Sequence, residues 1–360
     1  MGQILISNNV YCAVRTIATA LPFLTGASNP VKLTIYRKRR QMMKAIRVRE
    51  FGLPQTMVLE EVADLIPANN QVVVKLNAIG VNPVDAYCRS GAASWVSVPF
   101  TPGIDGAGTI ARIGAEVAHL QIGQRVYTAF NISGTYAEEV LCEASQVYPL
   151  PDSATFEEGA ALFIPYATAY RGLFQRSKIE AGETVLVHGA SGAVGIAATQ
   201  FAVAAGCSVI GSAGTEQGQK LAREQGAQHT VNHYDDGHFE QVLEITNGRG
   251  VDVIIEPVSA NVKRDIAILA NGGRITVIGD RTPIEIDAQA LTSRDAAILG
   301  TNIGNLPPST MAGLHAILFQ GLKNKTLRPI ISQRIPLAEA SRSHEKLFKS
   351  GALGKIILIP

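Results

Sequence analysis

The sequence predicts an α/β protein that joins a doubly wound parallel sheet to a second, β-rich part. Three observations lead to this prediction. Residues 167–302 alternate apolar strand patterns with helix patterns, which is typical of parallel βαβ units. Residues 44–165 contain short apolar segments separated by glycine-rich turns, with few helix patterns. A terminal apolar segment, GKIILIP, is expected to return to the β-rich part.

Length and composition describe a globular chain with a sizeable core. The 360 residues are enough for two domains, and 46% of them are hydrophobic while 17% are charged. A formal net charge of +2 gives no electrostatic case for a nucleic-acid or membrane partner, and no apolar run is long enough to cross a bilayer. Four scattered cysteines form no disulfide or zinc pattern, which favours a reducing compartment and a cytoplasmic location.

Residues 1–41 differ in composition from the rest of the chain. No acidic residue occurs before Glu50, and a basic run, RKRR, occupies residues 37–40. The favoured interpretation is a disordered N-terminal extension upstream of an alternative start at Met42 or Met43. A mitochondrial transit peptide and a targeting or polyanion-binding patch are the alternatives, although only two basic residues precede that run.

The β-rich part begins with five short segments that have the pattern of strands. They are AIRVREFG (45–52), QVVVKLNAIGV (71–81), GAGTIARIG (106–114), QRVYTAF (124–130) and YAEEVLC (136–142). Alternation and glycine punctuation predict a compact barrel-like arrangement. A helix is predicted next, in residues 151–163, with Ser153 or Thr155 as its N-cap and Glu157 and Glu158 in its first turn.

A glycine-rich turn between a strand and a helix is the most informative feature of the chain. In ETVLVHGASGAVG (183–195) an apolar strand leads to a loop with Gly189, Gly192 and Gly195, and an alanine-rich helix and a second strand follow in residues 196–213. Such a βαβ unit binds a dinucleotide, whose phosphates lie against the N–H groups of the helix N-terminus. The spacing departs from the GxGxxG fingerprint, so the flanking strand and helix carry the assignment.

The alternation of strands and helices continues beyond this unit. Helices are predicted at residues 218–226, 239–246 and 263–270, and strands at 228–233, 251–258, 271–279 and 296–303. Together with the first two strands these segments predict a doubly wound parallel sheet. The tail adds one more helix at 311–322 and a strand at 354–360.

The end of the second strand of this sheet favours NADPH over NADH. An NAD site usually has a carboxylate there for the ribose hydroxyls, but this strand ends in Gly211, Ser212, Ala213 and Gly214. Lys220 follows on the next helix and is expected to pair with the 2′-phosphate. An ordinary solvent-exposed lysine is the alternative interpretation of Lys220.

Several motifs resemble those of one family. NPVDAYCRSG (82–91), PGIDGAG (102–108), GQRVYT (123–128), VLVHGASGAVG (185–195) and NGGRITVIG (271–279) are similar to motifs of the zeta-crystallin-like quinone oxidoreductases, a branch of the medium-chain dehydrogenase/reductase superfamily. The resemblance starts near residue 43 and implies NADPH:quinone oxidoreductase activity. It also implies a GroES-like catalytic domain formed by residues 42–165 and 304–360 and a Rossmann NADPH-binding domain formed by residues 166–303.

The resemblance also implies that no metal is bound. Zinc alcohol dehydrogenases of this superfamily take their ligands from a Cys early in the β-rich domain and from a His-Glu pair. The matching positions here are Asn82, Ile104 and Asp105, and an amide and an isoleucine cannot replace a thiolate and an imidazole. Without zinc, simple alcohols are poor substrates, whereas an electron-poor quinone needs only positioning and a hydrogen bond.

Site residues follow from the resemblance and from positions at strand ends. Tyr87 and Asn82 are expected to contact the quinone, with a buried structural tyrosine as the alternative for Tyr87. The residues expected to bind the cofactor are Gly189, Ser191, Gly192, Ala193, Val194, Gly195, Gly214, Lys220, His233, Asn261, Ile278, Gly279 and Asn302.

The sequence leaves two alternative functions, and it also predicts an oligomer. The same cofactor and pocket would suit a reductase of activated C=C bonds in enones, 2-alkenals or enoyl thioesters. An RNA-binding or crystallin-type structural role is a minor alternative. For RNA binding, the reason is that the net charge of +2 provides no extensive basic surface. The apolar strand at 296–303 could pair across a two-fold axis, which predicts a homodimer or homotetramer.

Overall fold

The computed structural model describes residues 42–279 and 283–360, so the extension predicted for residues 1–41 lies outside the described residues. The strands are β1 (Met42–Val48), β2 (Met57–Ala63), β3 (Gln71–Gly80), β4 (Asp105–Ile113), β5 (Arg125–Thr128), β6 (Glu139–Glu143), β7 (Val147–Pro149), β8 (Thr184–Val187), β9 (Ser208–Ser212), β10 (His229–Val231), β11 (Val251–Glu256), β12 (Leu269–Val277), β13 (Ala297–Gly300), β14 (Ile331–Pro336) and β15 (Lys355–Ile359). The α-helices are α1 (Pro83–Ser90), α2 (Phe156–Ala160), α3 (Phe163–Tyr170), α4 (Ala193–Ala204), α5 (Glu216–Glu224), α6 (His238–Ile245), α7 (Val262–Asp265), α8 (Ala288–Thr292), α9 (Pro308–Lys323) and α10 (Ala340–Leu347).

Six parallel strands form the sheet that carries the glycine loop. Their order is β10-β9-β8-β11-β12-β13, and each neighbouring pair is parallel. The strand order therefore reverses between β8 and β11, which is the switch point where ligands of doubly wound sheets bind. The predicted doubly wound sheet is confirmed.

A seven-stranded mixed sheet forms the β-rich part. Its main path is β14-β15-β3-β4-β5-β7, and β6 also pairs with β3. The terminal strand β15 pairs antiparallel with β3, through Ile357 opposite Gly80 and Leu358 opposite Ile79. The chain therefore returns at its end to the sheet that holds β3 to β7 of the β-rich part. A separate antiparallel pair, β1 with β2, extends along residues 42–63.

One large hydrophobic cluster connects the two sheets. It contains Tyr127 of β5 and Val185 of β8, and it also includes side chains of α3, α4 and α9. The predicted boundary at residues 165 and 166 lies within α3, whose residues from Phe163 to Ala169 are all buried. The division into two domains therefore stays a prediction, supported by the separation of the strands into two sheets.

One of the expected N-caps is observed, and one predicted helix ends two residues before its predicted end. Thr155, one of the two expected N-caps, accepts a hydrogen bond from the Glu158 N–H at 3.1 Å. Of the helix predicted at 263–270, α7 covers the part up to Asp265 and a 3-10 turn continues to Ile268, whereas Leu269 is already part of β12 and pairs with Val251. Among the helices of the described ranges, none has the length and apolar character needed to cross a membrane.

Candidate functional site

A cleft of about 1650 Å³ opens at the carboxyl ends of the parallel strands, between the two sheets. One wall consists of the glycine loop and of residues that follow β11, β12 and β13. The other walls come from α1 and its N-terminal flank, from residues 103–104 and from the segment 346–356. A cleft at the switch point of a doubly wound sheet is the expected place for a dinucleotide.

Most of the predicted site residues meet in this cleft. Those that line it are Asn82, Tyr87, Gly189, Ser191, Gly192, Ala193, Val194, Gly195, Gly214, His233, Ile278, Gly279 and Asn302. Lys220 and Asn261 are not among the lining residues. Lys220 is 73% exposed and lies 3.9 Å from Glu224 on the same helix, and Asn261 is half-buried in a short turn beyond β11. Their roles stay predictions.

The glycine loop has the geometry of a phosphate cradle. Gly189 adopts a left-handed φ of 61°, which turns the chain sharply after β8. The first hydrogen bond of α4 runs from the Ile196 N–H to the Gly192 carbonyl at 2.8 Å. The N–H groups of residues 193–195 precede that bond and stand at the positive end of a 12-residue helix beside the cleft. These donors fit an anionic pyrophosphate.

Gly195 holds the loop and the helix unusually close together. A Cβ atom at this position would lie 2.2 Å from the Gly189 carbonyl oxygen and 2.7 Å from the Ala190 Cα. No side chain can be placed at 195 without moving the loop, so the glycine is required for this close approach. The loop is also tied to the segment before β15, since the Gly354 N–H donates to the Ser191 carbonyl at 2.8 Å.

The far end of the cleft is formed by residues after β9 and β10. Gly214 leaves room for two aromatic neighbours, because a Cβ there would lie 2.5 Å from His233 Nε2 and 2.3 Å from the Tyr234 ring. Tyr234 lines the cleft and is 61% exposed. Sequence reasoning missed this tyrosine, although it directly follows His233 at the strand end where an adenosine would lie.

A buried ion cluster lies beneath the glycine loop. His188 Nε2 is 2.8 Å from Asp265 Oδ1 and 3.6 Å from Glu256 Oε2, and its Nδ1 is 3.3 Å from Ser212 Oγ. Burial lowers the pKa of His188, but the hydrogen bond and charge of Asp265 and the charge of Glu256 outweigh it and raise the pKa overall. Burial raises the pKa of Glu256.

This cluster connects with the predicted cofactor residue His233. Ser212 Oγ lies 3.3 Å from His233 Nδ1, so the hydroxyl connects the two imidazoles. Burial and the charge of His188 lower the pKa of His233, which favours a neutral imidazole at the edge of the cleft. His188 lines the cleft and also has a structural role, because its contact with Glu256 connects the ends of β8 and β11.

The catalytic candidates Asn82 and Tyr87 are positioned by α1. Asn82 is its N-cap residue, and its backbone N–H donates to Asp85 Oδ2 at 2.8 Å. The Asn82 side chain takes no part in this bond and instead contacts Asp105. Tyr87 lies one turn along the helix, half-buried, with its ring centroid 6.1 Å from that of Phe348. Both side chains border the cleft opposite the glycine loop.

A buried lysine completes this wall, and sequence reasoning missed it. Lys355 is 3% exposed, and its Nζ donates to Asp105 Oδ2 at 3.0 Å and to Asn82 Oδ1. Asn82 Nδ2 also donates to Asp105 Oδ2 at 3.0 Å. The signal in the sequence is weak: a lysine directly before the apolar run IILI, at the start of a predicted strand.

These residues do not fit a catalytic zinc ion. Of the three positions that correspond to zinc ligands in related dehydrogenases, Ile104 has no donor atom and Asn82 offers only an amide. Asp105 is engaged by the ammonium group of Lys355, and a divalent cation next to that ammonium group would be repelled. The phosphate cradle, in contrast, fits a dinucleotide.

Comparisons with known proteins agree with this geometry. The family models for an alcohol dehydrogenase GroES-like domain and a zinc-binding dehydrogenase match residues 68–152 and 193–320. Quinone oxidoreductase from Homo sapiens is 40% identical over 324 residues, which are 89% of this chain and 98% of that protein.

Solved structures are similar over the same part of the chain. The crystal structure of Escherichia coli quinone oxidoreductase complexed with NADPH has a TM-score of 0.82 and 28% identity, covering 88% of this chain and 100% of that one. An NAD-dependent alcohol dehydrogenase structure also has a TM-score of 0.82, with 27% identity and the same coverage. The chain belongs to the quinone oxidoreductase branch of the medium-chain dehydrogenase/reductase superfamily.

Proposed function

We propose that the protein catalyses the NADPH-dependent reduction of quinones without a catalytic metal. The observation that carries this proposal is a single cleft with two dissimilar walls. One wall is a phosphate cradle of helix N–H groups, and the other presents a tyrosine, an amide and an ammonium group, of which the amide, Asn82, matches a zinc-ligand position of related enzymes. The related Escherichia coli enzyme was crystallised with NADPH, which supports this choice of cofactor.

The chain's own residues would hold the cofactor along the parallel sheet. The N–H groups of residues 193–195 bind the pyrophosphate, and Gly189, Ser191 and Gly192 shape the loop around it. Gly214 and His233 border the adenosine ribose, and Tyr234 offers a ring face beside them. Ile278, Gly279 and Asn302 would border the nicotinamide end, and Asn261 lies in the turn beyond β11, outside the lining of the cleft. Lys220 neutralises the 2′-phosphate from α5.

The quinone would lie between this cofactor and α1. NADPH, when bound, would supply two electrons and one proton to the quinone. Tyr87 and Asn82 orient the quinone by donating hydrogen bonds to its oxygen atoms. The apolar side chains of Ile104 and Ile278 limit the access of water to the reacting oxygen.

Assembly and location are also proposals. β13 is an end strand of the parallel sheet, with β12 as its neighbour in the described part of the chain. Its outer edge therefore offers backbone donors and acceptors to a second copy, which supports a homodimer or a homotetramer. We propose a cytoplasmic enzyme, because the scattered cysteines suit a reducing compartment.

A substrate panel tests the proposed activity. Oxidation of NADPH is followed by absorbance with an ortho-quinone and, in parallel, with a 2-alkenal. We expect turnover with the quinone and a lower kcat/KM with NADH than with NADPH. Turnover confined to the alkenal would instead establish the alternative, a reductase of activated C=C bonds.

A further inference from the structure

We propose that Lys355 is a catalytic residue whose ammonium group stabilises the negative charge that develops on the quinone oxygen. This inference rests on the proposed quinone reduction and assigns the electrostatic part of it. Transfer of two electrons and one proton from NADPH gives NADP⁺ and a hydroquinone monoanion, in which one oxygen is protonated and the other is a phenolate; a proton from solvent then completes the hydroquinone. A fixed positive charge beside that oxygen favours the anion over the neutral carbonyl, as a Lewis-acid metal would.

The position of Lys355 comes from the strand that begins with it. β15 pairs with β3, and this pairing brings Lys355 next to Gly80 and Asp105. A Cβ atom on Gly80 would lie 2.0 Å from the Ala160 carbonyl oxygen, 2.9 Å from Asp105 Cβ and 3.0 Å from Lys355 Cε. The glycine therefore leaves the space through which the lysine side chain reaches the wall of the cleft.

Two hydrogen bonds fix the ammonium group, and a third donor remains. Lys355 Nζ donates to Asp105 Oδ2 at 3.0 Å and to Asn82 Oδ1. An ammonium group has three donors, and the described residues accept from it at these two sites only. Asn82 in turn gives one amide hydrogen to Asp105 at 3.0 Å and keeps a second one. The cluster thus holds two N–H groups that could donate hydrogen bonds to a quinone oxygen.

Two of the three residues of this cluster border the cleft. Lys355 and Asn82 both line the cleft, whereas Asp105 does not. Asp105 is 1% exposed, and its second oxygen accepts the Ile164 N–H at 3.1 Å, which anchors the carboxylate behind the lysine. A substrate oxygen entering the cleft is therefore expected to meet the lysine and the amide before the carboxylate. In this arrangement the carboxylate positions the lysine, and the lysine acts on the substrate.

A variant without charges in this cluster distinguishes two roles of Lys355, stabilising the substrate anion and only neutralising Asp105. The double substitution Lys355→Met with Asp105→Asn removes both charges, so no unpaired ion is buried. A lysine that only balances Asp105 would be dispensable in this variant, and kcat would return to the wild-type value. Lys355→Gln is the second variant, since it keeps an N–H donor for Asp105 without the charge. Lys75→Met, at an exposed position on β3, is the matched control.

The probe is 4-nitrophenol, whose anion absorbs visible light and resembles the oxygen of a reduced quinone. It is titrated into the full chain saturated with NADP⁺, at several pH values. We expect wild type and Lys75→Met to bind the anion preferentially, and the charge-free variant and Lys355→Gln to lose that preference by about tenfold or more. The kcat for quinone reduction should fall by about 10²-fold in both variants, with the NADP⁺ dissociation constant unchanged.

Two results would overturn the assignment of Lys355. Wild-type preference for the nitrophenol anion in a folded charge-free variant or in Lys355→Gln would show that the lysine serves only Asp105. Loss of NADP⁺ affinity with an intact preference for the anion would place the ammonium group on a cofactor phosphate. A wild-type protein that reduces no quinone would refute the proposed function, while nitrophenol binding would still decide the role of the lysine.

Discussion

The substitution Gly195→Ala is expected to weaken NADPH binding sharply while leaving the rest of the fold intact. The added Cβ would lie 2.2 Å from the Gly189 carbonyl oxygen, whereas ordinary contact begins at 3.4 Å. The loop and the start of α4 must therefore separate by about 1 Å, because neither partner is a flexible side-chain end. Such a shift moves the N–H groups of residues 193–195 relative to the phosphates that they would bind.

The expected loss of affinity follows from those hydrogen bonds. A hydrogen bond to a charged group contributes about 1.5–3 kcal/mol, and losing one of them weakens binding by about tenfold to about hundredfold. The NADPH dissociation constant is measured by quenching of protein fluorescence or by calorimetry. The melting temperature without cofactor is recorded alongside, since a strained loop also lowers stability.

Gly313→Ala is the matched control for this experiment. Gly313 lies on α9, is exposed, and has no atom within 4 Å of the Cβ that alanine would add. Alanine there favours the helix by about 0.5–1 kcal/mol and should leave NADPH affinity at the wild-type value. A folded Gly195→Ala protein that binds NADPH as tightly as this control would refute the idea that the loop is a phosphate cradle.

Three further predictions concern single side chains. Lys220→Ala should raise the KM for NADPH by about tenfold and leave the KM for NADH unchanged; equal effects on the two cofactors would remove Lys220 from the phosphate site. Tyr87→Phe should lower kcat for quinones by about 10²-fold with an unaltered NADPH dissociation constant, and an undiminished kcat would make Tyr87 structural. Burial raises the pKa of Asp85 from 3.8 to about 7, so the folded state binds its proton more tightly and stability is lost as the pH rises between these values. Asp85→Asn should remove up to about 1.4 kcal/mol per pH unit of that slope in urea unfolding at pH 4.5 and 6.5, and an unchanged slope would contradict this pKa.

Much of the parallel sheet was predictable because its signals are local. Each strand of that sheet reads as a short apolar run next to a helix pattern, and the glycine loop lies between two such elements in sequence. The cap of α2 was predictable for the same reason, since Thr155 and Glu158 are three residues apart. The helix predicted at 263–270 ended early because β12 begins at Leu269, and its pairing with Val251 depends on tertiary structure.

The catalytic wall was less predictable because its contacts join distant parts of the chain. Lys355 and Asn82 are separated by 273 residues, and only the pairing of β15 with β3 brings them together. Asn82 was predicted from its motif, but that motif does not reveal that its amide also contacts Asp105. Tyr234 was missed because an aromatic residue after a short strand has no distinctive spacing. Lys220, predicted from its distance to the strand end, lies on the exposed side of α5.

The most direct test of the account measures metal content and quinone turnover on one preparation. The protein is dialysed against a chelator, its zinc is quantified by elemental analysis, and NADPH oxidation with an ortho-quinone is recorded before and after zinc is added back. We predict undiminished turnover at far less than one zinc per chain, and no gain on adding zinc. Turnover that disappears with the metal and returns at one zinc per chain would contradict a mechanism in which side chains alone stabilise the reduced quinone.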